Sequence, residues 1–527
     1  MHWAVATSAG AWLTDRFYVK PSCRSFRHSL QHPHRAQEQI FDVLLARGRR
    51  TRFGCDHDFA HIRTLNDYQR AVPVRRYEDM KPYVDSAVDG EVDVLWPGRV
   101  DWVLESSGTS GKKKQIPLPR EAWRRLYLPT GATYMAQLLA RVADRHRFLR
   151  GKTLFFGGGL HLDPAQPRRI FGDVTAFGIH LLPWYLGFSR APRKEIALIP
   201  NWEERLHRMA EATLREDIVH LAGLPTWLRN FGSIVLAMTG KRTLREVWPN
   251  LMAATVGGVN PAPYMHDLNR LILGQQDSKG AGFLYSEVYN GTEGFYALQV
   301  DEGNMVLMPS AQIFYEFVPA AAARNGDFAN AVPLAGVAVG EEYAPVISSV
   351  NGLWRYLIGD TVRFTGADPY RLVVSGRVQH YLNITGEELL VDSTDAAVQA
   401  VCAVYDLTLN DYMVVAQKED GVSDNARHLW LLEVAHPVTI DAATLAAALD
   451  HFLIDNHYDY AKSRRPGALN GDGFGLSAPH VQLLPAGTFQ RWLEHRLNGR
   501  VGAQSKVPRL SMDDAVVGEI ITSGSLR

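Results

Sequence analysis

The most informative stretch of this chain is LESSGTSGKKKQIPLP, residues 104–119. Two serines and a Gly-Thr-Ser-Gly turn precede three lysines, and prolines punctuate the end. Backbone amides in a glycine-rich turn form a concave anion site, hydroxyl groups add donors, and lysines supply point charges. We therefore predict a loop that binds a polyphosphate through these residues: Ser106, Ser107, Gly108, Thr109, Ser110, Gly111, Lys112 and Lys114.

The loop differs from the common phosphate-binding pattern GxxxxGK[ST]. The residue five positions before Gly111 is Ser106, so the first glycine of that pattern is missing. A solvated basic loop without a ligand is the alternative interpretation of this stretch alone. Other parts of the chain are needed to choose between them.

A second motif is VYNGTEGFYAL, residues 288–298. Tyr289 follows a strand-like segment, Asn290-Gly291 predicts a turn, and Thr292 with Glu293 places a hydroxyl beside a carboxylate. Mg²⁺ takes few protein oxygens and fills its remaining shell with phosphates and water, so this pair suits it. A hairpin with an incidental glutamate is the alternative.

A third motif is WRYLIGDTVRF, residues 354–364, in which Asp360 follows a glycine at the end of a predicted strand. A carboxylate at such a position can accept both hydroxyls of a ribose, as the acidic residue of a dinucleotide-binding fold does. The alternative is a structural aspartate paired with Arg355 or Arg363.

The order and spacing of the three motifs resemble the adenylate-forming superfamily of acyl-CoA synthetases, luciferases and adenylation domains. SSGTSGKKK resembles its phosphate loop, YNGTEG its Tyr-Gly-x-Thr-Glu motif and YLIGD its Tyr-x-x-Gly-Asp motif. The stretches around residues 51–85 and 93–119, with the late LLPAGTFQRW and GAQSKVPRL, are similar to one branch. That branch comprises the auxin- and jasmonate-conjugating acyl-acid amido synthetases (the Gretchen Hagen three family), here in what resembles a bacterial form, over about residues 36–512.

The resemblance implies a role for each motif. The loop would hold the β- and γ-phosphates of ATP, Thr292 would donate to the α-phosphate, Glu293 would ligate Mg²⁺, and Asp360 would hold the ribose. Gly257 and Gly258 would let adenine approach the backbone, although an ordinary turn is equally compatible with two glycines. Lys506 matches the C-terminal lysine that acts on the α-phosphate, with a surface lysine as the alternative.

The expected fold is mixed α/β. Alternating turn residues and β-branched runs predict strands in 341–364, 370–377, 412–417 and 429–435, and helical spacing predicts helices in 36–53 and 441–460. The resemblance implies a large N-terminal α/β domain with a β-barrel-like part, residues 1–385, and a small mobile C-terminal α+β domain, residues 386–527. Gln379 stands where the superfamily usually carries its hinge aspartate.

Composition limits the function classes. Lys plus Arg equals Asp plus Glu at 56 each, so no overall field favours nucleic acid or an anionic membrane. The three cysteines, Cys23, Cys55 and Cys402, form no CxxC pair and suggest thiols in a reducing compartment. The N-terminus lacks the features of a signal peptide, and no apolar run is long enough for a bilayer. We expect a soluble cytoplasmic monomer.

The family ligates a carboxylic acid to an amine, usually an amino acid, through an acyl-adenylate. One alternative is transfer of the acyl group to a thiol of CoA or a carrier protein, and another is a nucleotide-binding scaffold without turnover. The aromatic residues Trp123, Tyr127, Tyr134, Trp184 and Trp227 make an aryl or indolyl acid such as indole-3-acetate a reasonable first substrate, although aromatic residues more often fill the core.

Overall fold

The computed structural model describes most of the chain as two compact units. The described residues are 8–106, 114–164, 166, 168–182, 187, 189–199, 201–258, 261–275, 278, 282–378, 382, 387, 389–418, 425–464, 475–497 and 506–525. The large unit consists mainly of Met1–Val259 and Asn269–Val374. The small unit contains Asn260–Leu268, Ser375–Val501 and Ser505–Arg527.

Most strands of the large unit belong to one mixed sheet. Its strands are β3 Lys152–Phe155, β6 Arg190–Ala191, β7 Ile218–Gly223, β8 Ala253–Gly257, β9 Leu284–Gly291, β10 Gly294–Leu298, β11 Met305–Leu307, β12 Ile313–Pro319, β13 Val332–Pro333, β14 Glu342–Ser349, β15 Tyr356–Leu357, β16 Asp360–Ala367 and β17 Tyr370–Arg377. Their order across the sheet is β13-β12-β14-β16-β17-β11-β10-β9-β8-β7-β3-β6, with β15 beside β14. The strands β6, β3, β7, β8 and β9 pair in parallel. β9 then pairs antiparallel with β10, so the sheet changes from parallel to antiparallel pairing at the second sequence motif.

A second sheet of the large unit carries the first motif. It contains β1 Trp102–Ser106, β2 Lys114–Pro117, β4 Leu160–Leu162 and β5 Ile170–Gly172 in the order β2-β1-β5-β4. β1 pairs antiparallel with β2 and parallel with β5. Val103 and Leu104 of β1 are fully buried, which anchors the strand that leads into the predicted phosphate loop.

Helices precede and separate the strands of these two sheets along the chain. They are Ser8–Thr14, Asp15–Val19, Lys20–Gln31, Pro33–Gly48, Arg52–Asp56, Leu65–Ala71, Tyr77–Asp89, Arg120–Ala122, Trp123–Tyr127, Leu128–Arg141, Arg145–Arg150, Val174–His180, Lys194–Ala197, Trp202–Thr213, Pro225–Thr239, Leu244–Val247, Met265–Leu273 and Ala320–Arg324, with short turns at Ala262–Tyr264 and Leu334–Gly336. Within the described ranges, no helix is long and apolar enough to cross a bilayer.

The small unit is built on a sheet of β18 Leu409–Lys418, β19 Asn425–Val434, β20 Gly475–Leu476, β21 His480–Leu484 and β22 Leu510–Ser511. Successive strand residues point to opposite faces, and both faces are covered. On one face Val414 and Trp430 pack with helices Val391–Tyr405 and Ala442–Asn456. On the other, Met413 and Leu431 pack with helices Thr488–Arg496 and Ala515–Ser525. A further helix spans Tyr458–Ser463.

The mixed α/β class predicted from the sequence is confirmed. The helix expected in 441–460 spans Ala442–Asn456, and the Asp441 side chain accepts a hydrogen bond from Thr444 N at 2.8 Å as its N-cap. The helix expected in 36–53 divides in two, because Thr51 caps a new helix by accepting from Gly54 N at 3.0 Å. The compact units divide at Val374–Ser375. The predicted boundary at 385–386 stays a prediction.

A buried ion pair joins the N-terminal region to the mixed sheet. Arg355 donates to both carboxylate oxygens of Glu316, at 2.9 and 3.0 Å, and both side chains are almost fully buried. The Arg355 guanidinium also donates to the carbonyls of Gln69 and Val72, at 3.1 and 2.7 Å. Arg355 has a φ of 45°, a strained conformation that the surrounding bonds hold in place. It is thus a partner of Glu316 and not of Asp360.

Candidate functional site

The predicted phosphate loop connects two antiparallel strands. Ser106 ends β1 and Lys114 begins β2, and the two residues are paired across the hairpin. Next to the loop, the Lys114 ammonium lies 5.7 Å from the centroid of the Tyr77 ring, and Gln115 N donates to Tyr77 Oη at 2.8 Å. The remaining loop residues predicted to bind phosphate, Ser107, Gly108, Thr109, Ser110, Gly111 and Lys112, lie outside the described residues.

The second motif forms a hairpin whose turn differs from the prediction. Asn290 and Gly291 are the last residues of β9, and Gly291 pairs with Gly294 of β10, so Thr292 and Glu293 form the turn. The prediction of a turn at Asn290-Gly291 is therefore wrong. Neither Thr292 nor Glu293 has the positive φ that favoured two-residue hairpin turns require. Contacts from elsewhere in the large unit must hold this turn.

Two buried side chains bind the backbone of the turn. Tyr127 Oη donates to the carbonyl of Thr292 at 2.7 Å, and Asn351 Nδ2 donates to the carbonyl of Glu293 at 3.0 Å. Asn351 Nδ2 also donates to Tyr127 Oη at 2.7 Å, which joins the two into one network. All these residues are buried, with Thr292 at 2% and Glu293 at 8% exposure. The network supplies hydrogen-bond donors to two buried carbonyl groups of the turn.

Tyrosine hydroxyl groups surround the Glu293 carboxylate. Tyr356 Oη donates to Glu293 Oε1 at 3.4 Å. A Cβ atom at Gly291 would lie 3.0 Å from Glu293 Oε2 and 3.5 Å from Tyr296 Oη, so the Glu293 carboxylate lies close over the strand at this glycine. Burial, and then the charge of Glu293, raise the pKa values of Tyr296 and Tyr356 well above the ordinary range. Both tyrosines therefore stay neutral at physiological pH, and Tyr356 acts on the carboxylate as a hydroxyl donor.

The second and third motifs meet in a direct hydrogen bond. Tyr289 Oη donates to Asp360 Oδ2 at 3.0 Å. Asp360 begins β16 after Gly359, whose φ of 97° favours glycine at the irregular step between β15 and β16, two strands that both pair antiparallel with β14. Asp360 is half-buried, and the tyrosine hydroxyl is one of the groups that fix its carboxylate. Residues separated by 71 positions in the chain thus form one site.

The predicted adenine strip, Gly257 and Gly258, lies at the carboxyl end of β8. A Cβ atom at Gly257 would lie 2.7 Å from the carbonyl oxygen of Val288 in β9, so this glycine allows the two strands to approach. Gly258 has a φ of 80°, which favours glycine. Val288 directly precedes Tyr289, so the glycines reach the same edge of the sheet as the second motif. Ligands of open α/β sheets bind at this carboxyl edge.

Lys506 belongs to the small unit and is half-buried in the segment that precedes β22. It therefore lies in a different compact unit from Glu293 and Asp360. The predicted hinge position Gln379 lies outside the described residues. The role of Lys506 stays a prediction.

The donors around Glu293 suit a magnesium ion better than a transition metal. Among the described residues, no group of three or more His, Cys, Asp or Glu side chains could hold a metal. A single carboxylate that accepts from a neutral hydroxyl matches the sparse protein ligation of Mg²⁺, which is completed by substrate phosphates. The residues present therefore fit this ion when the nucleotide accompanies it.

Family models and solved structures match this chain. The GH3 family N-terminal, central and C-terminal domains match residues 22–157, 305–377 and 392–515. This chain belongs to the GH3 family. The second motif and Gly257–Gly258 lie between the first two matched ranges, and the central range includes Asp360.

Among curated relatives, the 4-substituted benzoates-glutamate ligase GH3.12 of Arabidopsis thaliana is 25% identical over 375 residues, 57% of this chain and 61% of the ligase. The indole-3-acetic acid-amido synthetase GH3.2 of the same plant is 24% identical over 419 residues, 64% of this chain and 72% of the synthetase. The match thus spans less than two thirds of the length of the first relative.

Solved structures share the fold. The GH3.15 acyl acid amido synthetase superposes with a TM-score of 0.74 at 16% identity, covering 95% of this chain and 96% of that chain. A 2-hydroxyisobutyryl-CoA ligase superposes with a TM-score of 0.57 at 14% identity, covering 92% and 91%. Identities at this level establish the fold alone.

Sequence reasoning missed several residues of the site in this GH3 protein. Asn351 stands in a VNG turn signal, and it does lie in the turn between β14 and β15, but its side chain is buried and reaches Glu293. Tyr127, an aromatic residue that the sequence suggests for the acid pocket, donates its hydroxyl to the turn at Thr292, and its place in an acid pocket stays a prediction. Glu287 has a side chain on the same face of β9 as Tyr289, and burial raises its pKa to about 7. It is a carboxyl group that changes charge near neutral pH.

The network beneath the turn gives a stability prediction. Asn351→Ala removes the buried hydrogen bonds to the Glu293 carbonyl and to Tyr127 Oη, which should lower the free energy of unfolding by about 1–3 kcal/mol. Urea denaturation followed by tryptophan fluorescence measures the change. The control Asn290→Ala alters an exposed residue of the same hairpin and should unfold within about 0.5 kcal/mol of the parent. Equal midpoints for both variants would contradict the role assigned to Asn351.

Proposed function

We propose that the protein is an acyl-acid amido synthetase. It uses ATP to adenylate a small carboxylic acid and transfers the acyl group to an amine, usually an amino acid. The products are an amide, AMP and pyrophosphate. The relatives named as benzoate–glutamate ligase and indole-3-acetic acid-amido synthetase support this assignment.

The hydrogen bond from Tyr289 to Asp360 is the observation that carries the proposal. It brings together a carboxylate suited to a ribose and a hairpin whose turn holds Thr292 and Glu293. The same edge of the sheet carries Gly257 and Gly258. A nucleotide bound there has a ribose partner, a glycine surface for the base and an acidic group for a phosphate-bound cation within one unit.

Adenylation requires alignment and charge neutralisation rather than a protein nucleophile. An oxygen of the acid carboxylate attacks the α-phosphorus of ATP, the bond to the bridging oxygen breaks, and pyrophosphate leaves with that electron pair. Asp360 orients the ribose, Thr292 donates to the α-phosphate, and the loop at 106–114 holds the outer phosphates. Such fixed donors lower the barrier because they need no reorganisation as the charge develops.

Glu293 is the residue that would hold Mg²⁺. The ion, when bound, neutralises phosphate charge. The chain's own contribution is to fix the carboxylate through the turn and to keep Tyr356 as a neutral donor to it. A carboxylate held in this way does not need to reorganise when the nucleotide arrives.

In the second half-reaction the amine nitrogen attacks the acyl carbon, the bond to the phosphate oxygen breaks, and AMP leaves. The attacking nitrogen loses a proton in this step. Lys506 serves the first half-reaction only, because its ammonium is useful where charge collects on the α-phosphate. A lysine that stayed there would obstruct the amine, so the small domain rotates between steps.

The acid is an aryl or indolyl carboxylic acid, with indole-3-acetate as the first trial. Names of relatives that include benzoates and indole-3-acetic acid support the class. Tyr134 and Trp227 are buried aromatic residues of the large unit, and Trp184 lies outside the described residues. We also propose a cytoplasmic monomer; the free thiols of Cys23, Cys55 and Cys402 support a reducing compartment.

The products test the proposed reaction. Incubation with ATP, an acid panel and amino acids should yield AMP and pyrophosphate in equal amounts with the amide, detected by chromatography and mass spectrometry. Offering CoA instead of an amino acid examines thiol transfer. Stoichiometric ADP and phosphate would exclude adenylation, and a thioester formed faster than any amide would favour the CoA-ligase alternative.

Glu293→Ala and Asp360→Ala should fail in different ways. Loss of the metal ligand removes transition-state stabilisation and should lower kcat strongly. Loss of the ribose contact should mainly raise the KM for ATP, because it costs about 2–4 kcal/mol of binding free energy. Steady-state kinetics of pyrophosphate exchange measure both. The control Glu302→Ala removes a carboxylate that is 97% exposed and should behave as the parent. If both site variants showed the same rise in KM and no change in kcat, the roles assigned to Glu293 and Asp360 would be wrong.

Lys506→Ala should suppress pyrophosphate exchange by about 10²-fold or more, the scale of losing one oriented electrostatic contact. The same variant, supplied with synthetic acyl-adenylate and the amine, should form amide at close to the parent rate. Rapid-quench assays of the two half-reactions separate these outcomes.

Lys241→Ala provides the control for that experiment, because Lys241 is exposed and follows a helix of the large unit. It should leave both half-reactions unchanged. A parallel fall of both half-reactions in Lys506→Ala would mean that the lysine is structural or is present in both conformations.

A further inference from the structure

Tyr77 is a buried residue beside the strand that leaves the predicted phosphate loop. It is the first residue of helix Tyr77–Asp89, and 8% of its surface is exposed. Its hydroxyl oxygen accepts a hydrogen bond from Gln115 N at 2.8 Å, and the Lys114 ammonium lies 5.7 Å from the centroid of its ring. Lys114 and Gln115 are the first two residues of β2. One side chain therefore holds the start of β2 by two different contacts.

The bond to Gln115 lies on the outer edge of the second sheet. β2 is the edge strand in the order β2-β1-β5-β4. Toward β1, Leu118 N donates to the Trp102 carbonyl at 2.9 Å, whereas Gln115 N donates to Tyr77. An edge strand carries N–H groups that point away from its own sheet and need another acceptor. The tyrosine hydroxyl supplies that acceptor and so fixes the distance between β2 and the helix.

The Tyr77 ring restrains Lys114 without cancelling its charge. Burial raises the pKa of Tyr77, although the Gln115 N–H acts in the opposite direction, so the hydroxyl is neutral at physiological pH. An ammonium within about 6 Å of an aromatic centroid is attracted by the quadrupole of the ring. Since the ring carries no net charge, the ammonium keeps its full charge for a phosphate, while its long flexible stem is held on one side.

The start of the same helix is also fixed beside the turn that holds Glu293. Two backbone bonds, of 2.9 and 2.8 Å, tie Arg75 to β15 and its preceding residue, and Arg75 forms a parallel bridge with Tyr356. Tyr356 Oη is the donor to Glu293 Oε1. Burial and then Glu293 raise the pKa of Tyr356, and Tyr77 adds to the shift, so the two tyrosine hydroxyls are electrostatic neighbours. Tyr77 therefore lies between the loop strand and the Glu293 site, within the large unit.

We propose that Tyr77 is a positioning residue that holds the Lys114 ammonium at a fixed distance from the Glu293 carboxylate, so that both serve the phosphate chain of one ATP. The inference rests on the proposed function. The phosphate chain has a limited length, so a cation on its outer phosphates and the carboxylate that holds its Mg²⁺ must have a matching separation. AMP lacks the outer phosphates, and its binding does not need this separation.

The test measures the binding of ATP and of AMP, each with Mg²⁺, by isothermal titration calorimetry in the absence of the acid. Tyr77→Phe keeps the ring and removes the acceptor of Gln115 N. It should weaken ATP binding by about fivefold, the scale of one neutral hydrogen bond, and leave AMP binding within about twofold of the parent. Amide formation from supplied acyl-adenylate should run at the parent rate, because the outer phosphates have already left.

Tyr83→Phe is the matched control. Tyr83 lies on the same helix, and its hydroxyl donates to Asp56 Oδ2 at 2.8 Å. Each substitution removes one hydroxyl hydrogen bond of this helix, so a general loosening of the helix would affect nucleotide binding in both variants. Tyr83→Phe should bind ATP and AMP as the parent does.

A double-mutant cycle tests whether Tyr77 acts through Lys114. Lys114→Met keeps an unbranched side chain next to the ring and removes the charge. It should weaken ATP binding by about tenfold or more, the scale of a hydrogen bond to a charged group, without affecting AMP. Adding Tyr77→Phe to Lys114→Met should then cost less than about twofold, because residues that act together are not additive.

The outcomes separate the positioning role from the proposed function. Equal ATP affinity in the parent and Tyr77→Phe, or equal weakening of ATP and AMP, would overturn the positioning role. Additive losses in the cycle, or parent-like ATP binding in Lys114→Met, would overturn it as well. A parent that exchanges no pyrophosphate with any acid would remove the proposed function, whereas a loss in Tyr77→Phe that is selective for ATP would still support the positioning of Lys114.

Discussion

The large unit is organised around a buried turn. Thr292 and Glu293 reverse the chain between β9 and β10 inside the protein, where no solvent can satisfy their carbonyl groups. Tyr127 and Asn351 supply the two donors, and they also bind each other. These hydrogen bonds hold the segments around Tyr127 and Asn351 in fixed positions relative to the hairpin. They also place the Glu293 carboxylate, because the side chain of a turn residue can point only where the backbone directs it.

The ion pair of Arg355 and Glu316 also supports this arrangement. Arg355 takes a strained φ of 45°, and its neighbour Tyr356 is the residue that donates to Glu293. Backbone bonds from Arg75 N to the Arg355 carbonyl and from Leu357 N to the Arg75 carbonyl, at 2.9 and 2.8 Å, hold β15 in place. The N-terminal region therefore contributes to the orientation of a carboxylate to which it is not adjacent in sequence. Removing one partner of such a buried pair leaves an uncompensated buried charge, so the loss of either side chain would strongly destabilise the fold.

Much of the local structure could be predicted because it depends on neighbouring residues. Asp441 before an apolar periodic stretch predicted the helix Ala442–Asn456 with its cap, and the alternation in 412–417 and 429–435 predicted β18 and β19. The turn at Asn290-Gly291 was placed two residues too early, since the Asn-Gly signal was overridden by tertiary contacts to Thr292 and Glu293. Asn351 belongs to a Val-Asn-Gly turn pattern, which predicts a turn but does not predict that the Asn351 side chain bonds the distant Glu293 carbonyl.

The sequence alone determined the family resemblance, the mixed α/β class and the identity of Thr292, Glu293 and Asp360 as candidate site residues, because motif spacing and residue chemistry are properties of the chain itself. The tertiary structure decided which groups meet. The bond between Tyr289 and Asp360 and the bond from Tyr356 to Glu293 join residues far apart in the chain. Hydrogen bonds depend on distance and direction to within fractions of an ångström, and only packing of the whole unit sets those values.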